Sequence, residues 1–197
     1  MVARDYAALP ANAVRRADRA VDDEQWIADF LARSPIGYLA TVHDGQPFIN
    51  SNLFVYDAAH DCIFMHTART GRTQSNVSAD ERVCFTTTEM GRLLPAPEAL
   101  EFSVEYSGVV VFGRASIVQE RDQQRYGLQL LMDKYFPHLK PGEDYRPIMD
   151  EELARTTVYR IQIESWSGKR KRVEDDFPGA FFYPHPAAAA DTAERES

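Results

Sequence analysis

The residues best suited to chemistry fall in one run, Cys62-Ile-Phe-Met-His66-Thr-Ala-Arg69-Thr-Gly71-Arg72-Thr-Gln-Ser75-Asn76. It opens as an apolar strand, Cys62 to Met65, and turns polar at His66. Gly71 can adopt the positive φ of a tight turn, and the residues after it can begin a short helix. A strand that runs into a glycine turn and a helix start aims unpaired backbone N–H groups at one point, where the helix dipole also favours an anion. Arg72 adds a planar fork of donors that suits a phosphate. Thr70, Thr73 and Ser75 add hydroxyls. The run reads as a phosphate cradle. It reads equally as a surface turn of ordinary polar residues, because it holds no Walker A loop.

The elements around it must place this run. Asp22 to Ala32 begins with acids, which suit a helix N-terminus. It sets Ile27, Phe30 and Leu31 on one face and ends at Ser34-Pro35. Ile36 to His43 and Gln46 to Tyr56 read as two strands joined by the hairpin signal Asp44-Gly45. Cys62 to His66 is a third strand and Arg82 to Thr88 a fourth; Met90 to Leu100 reads as a long loop. Phe102 to Val118 is one long strand or two, with Gly108 and Gly113 as bend points. Asp122 to Phe136 is a helix whose stripe of Leu128, Leu131, Met132, Tyr135 and Phe136 is core. Thr156 to Glu164 is a final strand with Tyr159, Ile161 and Ile163 inward. Six or seven strands at hairpin spacing with flanking helices suit a mainly β fold, a small antiparallel barrel. A loose arm over residues 1–20, a domain over 21–175 and a mobile tail over 176–197 complete the expected organisation.

The bulk numbers exclude several classes. A length of 197 residues holds one domain with a proper core. A net charge of −8 makes the surface as a whole repel nucleic acid and anionic lipid. No apolar run is long enough to span a bilayer and no signal-peptide pattern opens the chain, so a cytoplasmic protein is expected. Cys62 and Cys84 sit in strand-like apolar segments and read as buried free thiols, with no metal site.

At these motifs the sequence resembles the pyridoxamine-phosphate-oxidase-like superfamily of FMN-binding split barrels, and within it the nitroimidazole-resistance (Nim) family. The resemblance rests on Ile36-Gly-Tyr-Leu-Ala-Thr, Pro47-Phe-Ile-Asn-Ser-Asn-Leu and Met65-His-Thr-Ala-Arg-Thr-Gly-Arg72. It continues through Phe102 to Gly113, Tyr135-Phe-Pro-His-Leu-Lys-Pro-Gly142 and Thr157 to Lys169. These motifs lie in the family's order and cover roughly residues 22–172. The resemblance implies a six- to seven-stranded split β-barrel and a homodimer holding one FMN in each of two clefts between subunits. A barrel with an open side needs a cover, and a two-fold dimer is the commonest one.

The resemblance also implies site residues. Asn50, Ser51 and Asn52 would run along the flavin ring and ribityl chain. His66 and Thr67 would stand beside the ring. Arg72, Gln74 and Ser75 would line the phosphate turn, and Trp166 and Lys169 would meet the flavin edge. Asn50 and Asn52 read equally as an exposed strand face, and Trp166 as a dimer-core aromatic. Relatives often carry a second cation after the Gly-Arg pair, where this chain has Thr73. The Trp-Arg-x-x-Arg-Leu type of ending of true pyridoxamine-phosphate oxidases is missing, so vitamin B6 oxidation is not expected.

The activity implied is reduction of a small electrophile such as a nitroaromatic, with NADH or NADPH as transient donor, since no GxGxxG motif is present. His66 would orient or protonate the acceptor, and Lys169 with backbone N–H groups would stabilise negative charge on the ring. Two alternatives stand beside this reading. One is a non-catalytic flavin- or haem-binding protein, with His66 as the haem ligand. The other is a reductase using the deazaflavin F420, whose longer acidic tail calls for more basic residues than Arg69 and Arg72.

Overall fold

The structure, a computed structural model, describes residue 5 and residues 7–184. Of the arm expected over 1–20 and the tail expected over 176–197, residues 1–4, 6 and 185–197 lie outside the described residues. In chain order the elements are β1 (Ala20–Val21), α1 (Glu24–Arg33), β2 (Gly37–His43), β3 (Gln46–Asn52), β4 (Phe54–Asp57) and β5 (Cys62–Ala68). Then follow α2 (Arg72–Ala79), β6 (Arg82–Leu94), β7 (Ser103–Ile117), α3 (Arg121–Tyr135), α4 (Asp150–Leu153), β8 (Thr156–Lys171) and β9 (Phe181–Phe182). The main sheet runs β3-β2-β6-β7-β8-β5-β4, antiparallel throughout, with β1 on β8 and β9 on β6. It is an open, strongly curved sheet of the split-barrel kind.

One break makes it so. Gln46 to Tyr56, read from sequence as a single strand, divides at Leu53. β3 and β4 are separated by that one residue, yet they lie at opposite ends of the sheet order. The two ends must therefore meet at Leu53. Asn52 fastens the junction: its Nδ2 donates to the His66 carbonyl of β5 (2.5 Å), and its Oδ1 accepts from Leu53 N–H (2.9 Å).

Local chemistry accounts for most of the remaining elements. Asp23 caps α1 by accepting from the Trp26 N–H (3.1 Å), and Ile27, Phe30 and Leu31 are buried as their spacing requires. Asp44 and Gly45 both hold positive φ (49° and 76°), as a tight hairpin between β2 and β3 demands. β7 is one strand of fifteen residues. At Phe112/Gly113 its register against β8 shifts, leaving Glu164 as the extra residue of a bulge. A Cβ on Gly113 would lie 2.1 Å from the Gln162 carbonyl oxygen, so only glycine allows the two strands to close there.

Three stretches differ from the sequence reading. The expected loop after Met90 is still strand, because β6 pairs with β7 as far as Leu94 across an irregularity between Met90 and Leu93. The final strand does not stop at Glu164 but reaches Lys171. In α3 the fully buried positions are Gly127 and Leu131, while Phe136 is 43% exposed just past its end. The core fills the inside of the barrel with Leu39, Phe54, Met65, Phe85, Val109, Val111, Tyr159 and Ile161, closed at one side by α1. A second cluster, with Cys62, Phe64, Val158 and Leu131, joins β5 and β8 to α3. Cys62 and Cys84 are free thiols.

Candidate functional site

Gly71 is the N-cap of α2 and sits at φ 156°, ψ 174°, a region open to glycine. No side chain caps this helix, and its first turn holds no acid. The N–H groups of that turn therefore face outward without a side-chain partner. Arg72 is exposed and makes no ion pair among the described residues. Arg69, two residues before Gly71, spends one nitrogen on the Ala154 carbonyl (3.0 Å). Ser75 Oγ donates back to the Gly71 carbonyl (3.2 Å), and Gln74 Nε2 donates to Ser78 Oγ (3.5 Å), so both brace the helix along its length. Thr73 faces the core at 6% exposure. A second cation at that position would have to leave the core, so the arginines near the start of α2 are Arg69 and Arg72. These atoms suit an anion of phosphate type.

α2 is seated from below by a buried pair. Asn76 Nδ2 donates to Thr41 Oγ1 of β2 (2.9 Å), and both residues are 1% exposed. Among the described residues, only Asn76 Oδ1 and His66 Nδ1 are buried side-chain polar atoms with no partner. An unpaired buried nitrogen is costly unless something else satisfies it. Burial also pushes the His66 pKa below that of a free histidine, so the ring is neutral at pH 7.

The structure distributes the ten residues singled out from sequence over four places. Asn50 lies in a cross-strand row with Leu39, Phe85, Val111 and Trp166, on the inward face of the sheet. Asn52 shares that face and ties the barrel junction. Ser51 lies in the neighbouring row with Tyr38, Thr86, Val110 and Ser167, on the outward face, which also carries Lys169. Thr67 turns inward, where its hydroxyl meets the Tyr159 hydroxyl at 2.9 Å. His66 alternates to the other side of β5, the face of Cys62 and Phe64 that packs under α3. Arg72, Gln74 and Ser75 sit in the first turn of α2.

Trp166 packs on the core, with its ring edge toward Tyr56 at 6.2 Å, so its side chain serves the barrel interior. Lys169 opens onto a cavity of about 300 Å³ with Thr86, Thr88, Val110 and Phe112, roofed by Ala11, Ala13 and Val14 of the N-terminal arm. That arm is anchored by β1 on β8, Ala20 opposite Lys169, and by Asn12 Nδ2 donating to the Trp166 carbonyl (3.4 Å). Arg69 was legible in the sequence as a basic residue of the Cys62–Asn76 run. Tyr159 was legible as an inward residue, but its pairing with Thr67 joins positions 92 apart in the chain.

The profile of the pyridoxamine 5′-phosphate oxidase family matches residues 23–170. The chain belongs to this family. No curated protein matches it. Among solved structures, the flavocytochrome Anf3 from Azotobacter vinelandii is similar at 22% identity and a TM-score of 0.72, over 88% of this chain and 86% of that one. The FAD and heme binding protein from Mycobacterium smegmatis is similar at 19% identity and a TM-score of 0.71, over 88% and 80%. A candidate 5-nitroimidazole antibiotic resistance protein from Bacteroides thetaiotaomicron is similar at 17% identity and a TM-score of 0.63, over 77% and 86%. Between this family member and those three proteins the likeness is one of fold. No helix among the described residues is long and apolar enough to cross a membrane.

Proposed function

We propose that this chain is a flavin-binding redox protein of the cytoplasm that uses FMN, with NADH or NADPH as donor, to reduce small electrophiles of the nitroaromatic class. The observation that carries the reading is the uncapped start of α2 with Arg72 unspent beside it, on a chain of the pyridoxamine 5′-phosphate oxidase family. Arg72 and the first-turn N–H groups would hold the phosphate, with Arg69 adding charge. The flavin, when bound, supplies hydride and electron transfer.

This chain's own residues do the rest. The neutral His66 ring offers a buried Nδ1 that can accept or hold a proton. Lys169 places a cation over the outward face of the sheet. That face bears Tyr38, Val42 and Ile49 at 38, 43 and 65% exposure, next to the less exposed Ala40, Val110 and Phe112. An apolar face of this breadth suits a second copy of the chain, giving a homodimer whose interface excludes water from the site. The likeness to a candidate nitroimidazole-resistance protein supports a place in the Nim branch.

A second reading has its own observation. A buried neutral histidine such as His66 could hold a haem iron through its Nε2, and two of the similar structures are a flavocytochrome and an FAD- and haem-binding protein. His66 would then be the ligand. F420 in place of FMN is weaker, because its acidic tail would find only Arg69 and Arg72 near the cradle.

The visible spectrum of the purified protein, with mass analysis of the chromophore released on denaturation, separates these readings. Flavin absorbance retained after desalting, and turnover of a nitroimidazole with NADPH, are expected. A Soret band lost in His66→Ala assigns haem instead. No chromophore and no spectral shift on adding FMN or F420 refutes cofactor binding. Sedimentation equilibrium tests the dimer, and a monomer at micromolar concentration refutes it.

A further inference from the structure

At the far end of β5 from the cradle, the chain builds a second constellation. Asp57 closes β4 and its side chain is only 5% exposed. Its Oδ1 accepts from the Ala59 N–H (3.1 Å), and its Oδ2 accepts from His60 Nδ1 (2.8 Å) and from the Tyr126 hydroxyl of α3 (3.0 Å). This contact orients the imidazole: Nδ1 faces Asp57 Oδ2, and Nε2 has no hydrogen-bond partner among the described residues. The His60 side chain is 58% exposed.

The free edge of His60 borders a cleft of about 290 Å³ with Phe64, Gln123, Tyr126 and Arg160. Phe64 and His60 each meet the Tyr126 ring edge-on, at 5.9 and 5.8 Å, so the walls are aromatic. Arg160 has no carboxylate partner among the described residues. Its polar neighbour is the Cys62 thiol, which burial keeps protonated and therefore unable to neutralise it. Asp57 makes no ion pair with it either, since its oxygens face the Ala59 N–H, His60 and the Tyr126 hydroxyl. The cleft thus combines aromatic walls, one unpaired guanidinium and one oriented imidazole nitrogen.

We propose that this cleft, between the β4–β5 turn and α3, is a ligand site for a small aromatic carboxylate, with Arg160 as the anchor of the carboxylate and His60 Nε2 as a second polar contact. A guanidinium matches a carboxylate with two parallel hydrogen bonds. The aromatic walls favour a flat apolar body, and the volume limits it to about one ring. From Cys62 to Ala68 the strand covers roughly 20 Å, so such a ligand does not overlap the α2 cradle. The proposal is independent of the flavin reading.

The test is calorimetric titration of the full chain, in its purified state, with benzoate and with cyclohexanol as an uncharged control. We expect benzoate to bind at about millimolar concentration or below, with cyclohexanol not binding. Arg160→Gln should weaken benzoate roughly tenfold or more, and His60→Ala should weaken it by a smaller factor. Arg160→Lys should retain part of the affinity. Chromophore content should be the same in all variants. Should Arg160→Gln fold poorly by its thermal midpoint, the exposed His60→Ala carries the test. Lack of benzoate binding at about 10 mM, equal affinity in Arg160→Gln and the parent, or displacement of benzoate by FMN would each overturn the proposal.

Discussion

Two arginines in opposite regions of this chain show how the same side chain serves stability in one place and binding in another. Arg92, on β6, is 14% exposed and fully spent. Its Nε and Nη2 donate to the Glu105 carboxylate (2.8 and 2.9 Å), and it also donates to the carbonyls of Asp175 (2.8 Å) and Glu174 (3.1 Å). The Arg92 hydrogen bonds hold the Glu105 carboxyl at a pKa of about 2. This arginine fastens the segment after β8 to the β6–β7 hairpin. Arg72 touches no carboxylate among the described residues and stands beside uncapped N–H groups. A saturated guanidinium is structure, whereas an exposed one beside open donors is available to a ligand.

The contrast can be broken by exchange of effects. Arg92→Ala should produce the largest change, because it strands the buried Glu105 carboxylate and releases residues 173–175. The thermal midpoint should fall by several degrees, on the order of 5 °C, with flavin per folded molecule unchanged. A lower flavin affinity with an intact midpoint would reverse the assignment. Arg72→Ala should do the opposite: the midpoint stays, and FMN affinity in a fluorescence titration falls roughly thirtyfold, about 2 kcal/mol. Next in size is Gly71→Ala. The space is open, but φ 156° is strained for alanine, so a loss of about 1 kcal/mol in urea denaturation is expected. Equal stability would show that the turn relaxes without cost.

A further test concerns a third cation, Lys134, which is held by two carbonyls and the Phe54 ring and meets no carboxylate among the described residues. Its Nζ donates to the Ser34 and Phe54 carbonyls (2.8 and 2.9 Å), and burial lowers its pKa to about 8. Between about pH 8 and the unfolded value of 10.5, the unfolded chain binds more protons at this site. This group therefore makes stability rise with pH across that window and contributes no slope below it. Urea midpoints at pH 8 and 10 should show the rise, and Lys134→Met should flatten it.

Much of this was legible because short-range chemistry controls it. Asp23 caps α1, Asp44-Gly45 turns the first hairpin, and Gly71-Arg72 ends a strand and opens a helix, each from neighbours in the chain. The apolar alternation of Tyr159 and Ile161 fixed their inward facing in advance, and both are fully buried. Trp166 and Lys169 were visible as candidates, but only the extension of β8 to Lys171 shows that they lie on opposite faces. Asn50 and Ser51 part in the same way, since adjacent strand residues must point to opposite sides of a sheet.

The sequence by itself determined the antiparallel β class and the helix start after Gly71, because local hydrogen bonding and strand periodicity act between near neighbours in the chain, while its motifs carried the resemblance to the pyridoxamine 5′-phosphate oxidase family. Only the tertiary structure decided the break at Leu53, the burial of Thr73 and the unpaired nitrogen of His66. Each of these depends on which distant segment lies opposite. Leu53 is a corner because β3 and β4 occupy opposite ends of one curved sheet, and Thr73 is core because Asn76 and Thr41 seat α2 against β2. His66 lacks a partner because the α3 side of β5 supplies apolar neighbours there. Contacts between residues far apart in the chain carry no local pattern by which they could be read in advance.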